Sequence, residues 1–208
     1  MNERGYYELA SAEPFRAYFS TRLGFPPVKD FVCLNQLHTG IVQVAPKEPE
    51  TPGDALITNR EGLFIGIKAS DCGSVFLFDR EHRALGLAHA GWRGALLGIH
   101  LNAIAMMNRL YGTKPTGLRV ALGPMICGGC YKVGEEVAGL FRGFAALREG
   151  VWFLDLPEYL VHTLIAAGIK QDNIIHAPAC TAQNRWLWSA RRDGLRGRNW
   201  AIACIKRS

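Results

Sequence analysis

Between positions 63 and 89 the chain holds three short apolar runs: LFIGIK at 63–68, VFLF at 75–78 and ALGLAH at 84–89. Runs this continuous read as short buried strands, because a strand with one wet face alternates polar with apolar residues. Strands of that kind need other elements packed over them. The composition supplies the material, with 49% hydrophobic residues and ten Phe in 208 residues. A chain of this length suits one domain with a core large enough to stand without disulfides.

Around the three runs the pattern mixes helices and strands. Apolar residues Leu96, Ala103, Ile104, Met107 and Leu110 recur at helical spacing after the bend Gly91-Trp92-Arg93-Gly94, with Gly112 placed to stop the helix and Pro115 beyond it. A strand is expected at 119–122, then a helix from Glu135. A second helix starts at Asp155-Leu156-Pro157-Glu158, with Asp155 as its cap and Gly168 as its end. Strands are expected at 174–176, 186–189 and 200–205, the last two separated by a turn-rich, basic stretch at 191–198. No linker interrupts the chain. The expectation is a single compact α+β domain over residues 1–208, with mixed β-sheets flanked by helices.

Charge and cysteine usage exclude several classes. The formal charge of +6 invites a nucleic-acid reading, but the basic residues are dispersed and no Lys/Arg tract is interleaved with aromatics. No nucleic-acid partner is expected, and a small anion such as phosphate fits the same bias. The apolar stretch at 95–107 is broken by Gly98, His100 and Asn102 and is too short to span a bilayer. The start lacks the basic-then-apolar order of a secretory signal, which makes a cytoplasmic location the expectation. In that setting the six cysteines read as thiols or metal ligands rather than a disulfide framework.

Three segments join a metal-capable side chain to a tight, glycine-containing backbone: Gln36-Leu37-His38-Thr39-Gly40, Ser70-Asp71-Cys72-Gly73 and His89-Ala90-Gly91-Trp92-Arg93-Gly94. Taken singly, a Cys is most often a small core residue and a His a hydrogen-bonded structural one. Cys72 and His89, however, each end an expected buried strand, and strand ends at one sheet edge are where ligand sites gather. Cys127-Gly128-Gly129-Cys130 has redox-pair spacing but lacks the helix-opening context of such pairs. It reads as a loop with Cys130 packed inside. The tryptophans Trp186, Trp188 and Trp200 read as core aromatics.

These motifs, with Gly123-Pro124-Met125-Ile126, Cys130-Tyr131-Lys132-Val133-Gly134, Cys180-Thr181, Arg191-Arg192-Asp193-Gly194 and Gly197-Arg198, occur in an order that resembles one family. It is the laccase-domain family, also called the multicopper polyphenol oxidase or YfiH-like family. The resemblance runs from about Phe19 to the C-terminus and implies a YfiH-like fold. It implies zinc held by His38, Cys72 and His89. It also implies phosphorolysis of adenosine, inosine, guanosine and methylthioadenosine, and deamination of adenosine. The small-molecule partners would then be a purine nucleoside and phosphate. The chain departs from the family pattern in a shortened segment between Arg22 and Gln36, in Ala69, Ser70 and Ser74, and in Lys132 where Glu is usual. The shortened segment bears on substrate range more than on the metal.

The residues suit that chemistry independently. One thiolate and two imidazoles form a borderline-soft set that favours zinc over magnesium or calcium, and three protein ligands leave a fourth position open. Asp71, beside Cys72, is a candidate acid/base or a turn-holding residue. Arg22 and Arg93 are candidates for gripping phosphate, and Gln36 for hydrogen bonds to base or ribose. Two other enzymes compete with this reading. A copper-dependent, laccase-like polyphenol oxidase would need more imidazoles than six His provide for a multicopper centre. A Cys–His hydrolase or amidase would use Cys72 as nucleophile and His89 as base. A non-enzymatic basic binding module ranks last.

Overall fold

The computed structural model describes residues 5–10, 13–194 and 196–207. Residues 1–4, 11–12, 195 and 208 lie outside it, and with them the two ends of the expected 1–208 unit and one position of the basic turn.

The three apolar runs form consecutive strands of the chain. With β1 (Tyr7–Ala10), β2 (Phe15–Phe19), β3 (Val42–Val44) and β4 (Ala55–Thr58) before them, they are β5 (Phe64–Ala69), β6 (Gly73–Asp79) and β7 (Ala84–Ala90). Helices α1 (Trp92–Leu96) and α2 (Ile99–Tyr111) follow, then β8 (Arg119–Leu122), β9 (Lys132–Val133), α3 (Glu135–Leu140), β10 (Ala145–Arg148) and β11 (Val151–Leu154). The chain finishes with α4 (Leu156–Ala166), β12 (Ile174–His176), α5 (Ala190–Asp193) and β13 (Asn199–Ile205). The strands form a six-stranded mixed sheet in the order β12-β8-β6-β7-β4-β3, a four-stranded antiparallel sheet in the order β1-β2-β13-β5, and a small sheet β10-β11-β9.

The unbroken apolar character of β6 and β7 has a direct cause: every residue of both strands is buried. Phe76, Phe78, Leu85 and Leu87 face the four-stranded sheet and pack with Phe15, Phe19, Ile65, Ile67 and Ala201. Val75, Leu77, Ala84, Ala88 and Ala90 face the other way, onto Ile99, Ala103 and Met107 of α2 and Leu160 and Leu164 of α4. The sheet is the middle of three layers, so alternate residues serve two separate cores. This is an α+β fold with mixed sheets flanked by helices, as the pattern implied.

Two departures have local reasons. The helix expected after Gly94 is two helices, because Gly98 takes a left-handed conformation (φ 68) and turns the chain between them. The strand expected at 186–189 is absent. Asn199 accepts from Trp188 N–H through its side-chain oxygen and donates to Trp188 O, and Ser189 instead caps α5 by accepting from Arg192 N–H. Side-chain partners thus replace a strand ladder there. Trp186 is also no core residue, being half exposed. The α4 cap is as expected, Asp155 accepting from Glu158 N–H with Pro157 in the first turn.

Candidate metal centre and its surroundings

His89 sits near the end of β7, and Cys72 lies in the turn joining β5 to β6. Since β6 and β7 pair with Ser74 opposite His89, the turn and the strand end meet at one edge of the middle sheet. His38 arrives from a loop. The ligand-capable atoms of His38, Cys72 and His89 all lie within 4.8 Å of one another. The two imidazoles meet edge to face at 4.9 Å.

The organising residue is Asp54, which the sequence reading passed over. It is fully buried just ahead of β4. Its carboxylate accepts from three successive backbone N–H groups, of Leu37 (3.2 Å), His38 (3.1 Å) and Thr39 (2.6 Å), and from the Thr39 hydroxyl (2.8 Å). Such a run of N–H groups is an anion nest, and it holds the His38 loop in shape with His38 itself at φ 59. The same carboxylate accepts from His89 Nδ1 at 2.9 Å, while Asp54 O accepts from His89 N–H at 2.7 Å. With Nδ1 protonated toward Asp54, His89 is left with Nε2 as a free donor atom for a cation. One buried acid therefore positions two of the three ligands.

Charge is balanced within this group. Burial opposes ionisation of Asp54, but its bonds from His89 and Thr39 outweigh it and hold the carboxyl at about 2. Burial likewise opposes the Cys72 thiolate, and the His89 and His38 imidazoles override it, bringing the thiol down to about 6. Burial lowers His89, yet the facing Cys72 and Asp54 raise it to about 9. Gly91 makes the approach possible. A methyl group there would stand 2.9 Å from Cys72 Sγ and 3.2 Å from His38 Cδ2. This set of one soft and two borderline donors, already charge-compensated and close enough to share one ion, fits a transition-metal cation.

The triad separates two cavities. The larger, about 540 Å³, is lined by Gln36, Glu50, Lys68, Ser70 and Arg198 together with all three triad residues. The smaller, about 320 Å³, is lined by His38, Asp71, Cys72, Trp92, Arg93, Tyr131 and Arg191. The Arg93 guanidinium lies 4.3 Å over the Trp92 ring and that of Arg191 lies 5.5 Å over Tyr131. Burial and the neighbouring Cys72 raise the Tyr131 hydroxyl, so it stays a neutral hydrogen-bond donor.

Three expected site residues have other commitments. Asp71, at φ 77, accepts from the Thr181 hydroxyl (2.5 Å), the Ser189 hydroxyl (3.0 Å) and Arg191 N–H (2.7 Å). Both its oxygens accept hydrogen bonds, which tie the Cys72 turn to Thr181, Ser189 and Arg191. Gln36 spends its amide on the β5 backbone, accepting from Lys68 N–H at 2.7 Å and donating to Lys68 O at 2.9 Å. Arg22 pairs with Asp193, donates to Leu187 O and stacks 3.9 Å over Trp188. It lines neither cavity at the triad. Lys68 and Glu50 carried no motif signal of their own that spacing could expose, and Tyr131 lies in the Cys130–Gly134 motif, which assigned it no role. Asp54 left only a faint trace, an acid placed directly before the apolar run ALIT.

This arrangement of layers is known. The structure superimposes on the YfiH protein of Bacillus licheniformis with a TM-score of 0.90, covering 99% of this chain and 98% of that one at 24% identity, a likeness of fold. The chain belongs to the family described as "Multi-copper polyphenol oxidoreductase laccase", whose profile matches residues 10–206. Among characterised relatives it is 36% identical to a "Purine nucleoside phosphorylase" of Deinococcus radiodurans over 199 residues, 92% of this chain and 76% of that protein. It is 32% identical to "Adenosine deaminase RL5" from an unknown prokaryotic organism over 152 residues, 68% of this chain and 58% of that protein. Among the described residues no helix is long and apolar enough to cross a membrane.

Proposed function

We propose that this chain is a zinc-dependent purine nucleoside enzyme that cleaves adenosine, inosine, guanosine and methylthioadenosine with phosphate and deaminates adenosine at the same site. We further propose that residues 1–208 form one laccase-domain unit. The observation that carries the reading is the convergence of the His38, Cys72 and His89 donors between two cavities lined by Lys68, Arg198, Arg93 and Arg191. The relatives named as a phosphorylase and a deaminase support it. Six cysteines without a disulfide suit a cytoplasmic setting.

His38, Cys72 and His89 hold the zinc. When bound, that ion supplies Lewis acidity and makes a hydroxide nucleophile available near neutral pH. The remaining work falls to the chain. The larger cavity has the volume of a small-molecule site and receives the nucleoside. Arg93 and Arg191, held flat over aromatic rings, present guanidinium forks to the phosphate dianion in the smaller cavity. In phosphorolysis a phosphate oxygen bonds to the ribose anomeric carbon as the bond from that carbon to the purine nitrogen breaks. The bonding pair leaves with the base, which takes up a proton. Tyr131 donates a hydrogen bond at the cavity wall. Asp71 and Gln36 serve indirectly, Asp71 by fixing the Cys72 turn and the Arg191 backbone, Gln36 by fixing the Lys68 backbone.

Chromatography of adenosine incubated with zinc-loaded protein, with and without phosphate, tests the reading. Adenine with ribose phosphate marks phosphorolysis and inosine marks deamination. Formation of neither product overturns it. One observation favours a second reading: a lowered Cys72 thiol facing a raised His89 is also the pairing of a thiol hydrolase or amidase. Turnover retained in chelator, with a covalent adduct on Cys72, would select it.

A further inference from the structure

The loop after β8 carries Cys127 and Cys130, and Cys180 follows β12 fifty residues later in the chain. The three sulfurs lie within 4.8 Å of one another. None is in a disulfide and each is only partly buried, so a small ion can reach them. Two backbone contacts bring the segments together: a β-bridge pairs Met125 with Cys180, and Cys127 N–H donates to Cys180 Sγ at 3.3 Å. The loop closes on itself through Cys130 N–H and Tyr131 N–H, which donate to Cys127 O at 2.9 and 3.1 Å. The cluster is thus assembled by main-chain bonds before any ion arrives. A cavity of about 200 Å³ adjoins it, lined by Cys127, Cys180, Met125, His176 and Gln183.

We propose that Cys127, Cys130 and Cys180 form a second metal site, distinct from the His38–Cys72–His89 triad, for a thiophilic d10 cation, zinc or cuprous copper. Three thiolates about 2.3 Å from one cation stand about 3.8–4.0 Å apart, so the observed spread closes with a sub-ångström adjustment. An all-sulfur set selects soft ions and excludes magnesium and calcium. A fourth ligand would come from water in the adjoining cavity, which His176 also lines. The two segments the ion would join also grip the triad's turn, because Ile126 N–H donates to Asp71 O at 3.1 Å and the Thr181 hydroxyl bonds the Asp71 carboxylate. The site is therefore a clamp on the loop beside Cys72. It stands whatever reaction the triad serves.

The test is a metal titration of reduced, metal-free protein under anaerobic conditions, with zinc in one arm and cuprous ion in the other, each against a competing chromophoric chelator. Two equivalents per chain are expected for the wild type. Cys180→Ser and the double variant Cys127→Ser/Cys130→Ser should each bind one, and so should Cys72→Ser. Cobalt supplies an independent signature: the near-ultraviolet thiolate charge-transfer band should survive Cys72→Ser and largely vanish in Cys180→Ser. A fold-independent readout uses the wild type alone, in which zinc should slow alkylation of Cys127, Cys130 and Cys180, mapped by peptide mass spectrometry, until chelator is added. A single equivalent in the wild type that Cys180→Ser leaves in place overturns the proposal. So does a second equivalent indifferent to Cys180→Ser, or a Cys127–Cys130 disulfide that persists under these reducing conditions.

Discussion

The chain gathers metal-capable side chains at two places, and they are built differently. The triad mixes one sulfur with two nitrogens and is anchored to the end of a rigid middle sheet, with Asp54 buried behind it. The Cys127–Cys130–Cys180 cluster is all sulfur, rides on two loops and is held by a β-bridge from Met125 to Cys180 and by Cys127 N–H donating to Cys180 Sγ. In the first, the Asp54 carboxylate orients His89 and the His38 loop and balances their charge. In the second, the donors differ among themselves. Burial and hydrogen bonding to Cys127 push Cys130 up to about 12, whereas Cys180 is lowered by N–H and S–H donors despite its burial. The difference is that between donors whose charge is prearranged by a buried acid and donors gathered by backbone contacts between two loops.

The sharpest way to break this comparison is to remove a triad ligand. Cys72→Ser or His89→Ala should abolish zinc at the triad and reduce nucleoside turnover by ~10³-fold or more, while Cys180→Ser leaves turnover within a few-fold. Product analysis beside metal analysis decides it, and equal losses in both would erase the distinction. Next comes Asp54→Asn, which keeps the shape but loses the charge. Triad affinity for zinc should fall roughly 10–100-fold, read by competition with a chelator, with the cluster unaffected. Gly91→Ala puts a methyl group against Cys72 and His38. It should cost about 1–3 kcal/mol of stability or binding through overpacking, visible as a lower melting temperature of the zinc-loaded protein.

Acidity separates the sites more gently. Between about 6.5 and 9 the Cys72 thiol is ionised while His89 carries a proton. An ion must displace that proton, so triad affinity should rise about tenfold per pH unit in this window and level off above about 9. Below about 6 the thiol binds a proton as well, and the slope steepens. At the cluster Cys130 keeps its proton far higher, so affinity there should still be climbing at pH 9. Titrations at several pH values distinguish the two curves. The smallest effect belongs to Asp54 in the metal-free chain. Its carboxyl lies below its unfolded value, so it contributes stability above about pH 4, ~2 kcal/mol by linkage. That contribution is lost as pH falls through about 2, and the acid limb of the melting profile should be shallower in Asp54→Asn.

Much of the fold was legible because its cues are local. The runs at β5, β6 and β7, the cap at Asp155 and the stop at Gly112 all state their structure within a few residues. The strand expected at 186–189 failed for the opposite reason: its partner, Asn199, lies far along the chain and offers a side chain instead of a strand edge. The same division runs through the site. His38, Cys72, His89, Arg93 and Tyr131 lie in distinctive motifs, whereas Asp54 and Lys68 do not. Arg22, Asp71 and Gln36 have the right chemistry, but Asp193, Thr181 and Lys68 already engage them.

What the sequence determined alone was the inventory: buried strands, their stops and caps, and three metal-capable side chains set in tight glycine-bearing segments. Such features depend on neighbours a few positions away. Tertiary structure decided which of those groups are free to act. Hydrogen-bond partners brought from 15 to 120 positions away chose Asp54 as the organiser and Asp71 as a fastener. They also added Cys180 to a CxxC that had read as an ordinary loop. Burial makes each of those long-range bonds expensive to leave unmade, and for that reason the folded chain, rather than the motif, assigned the roles.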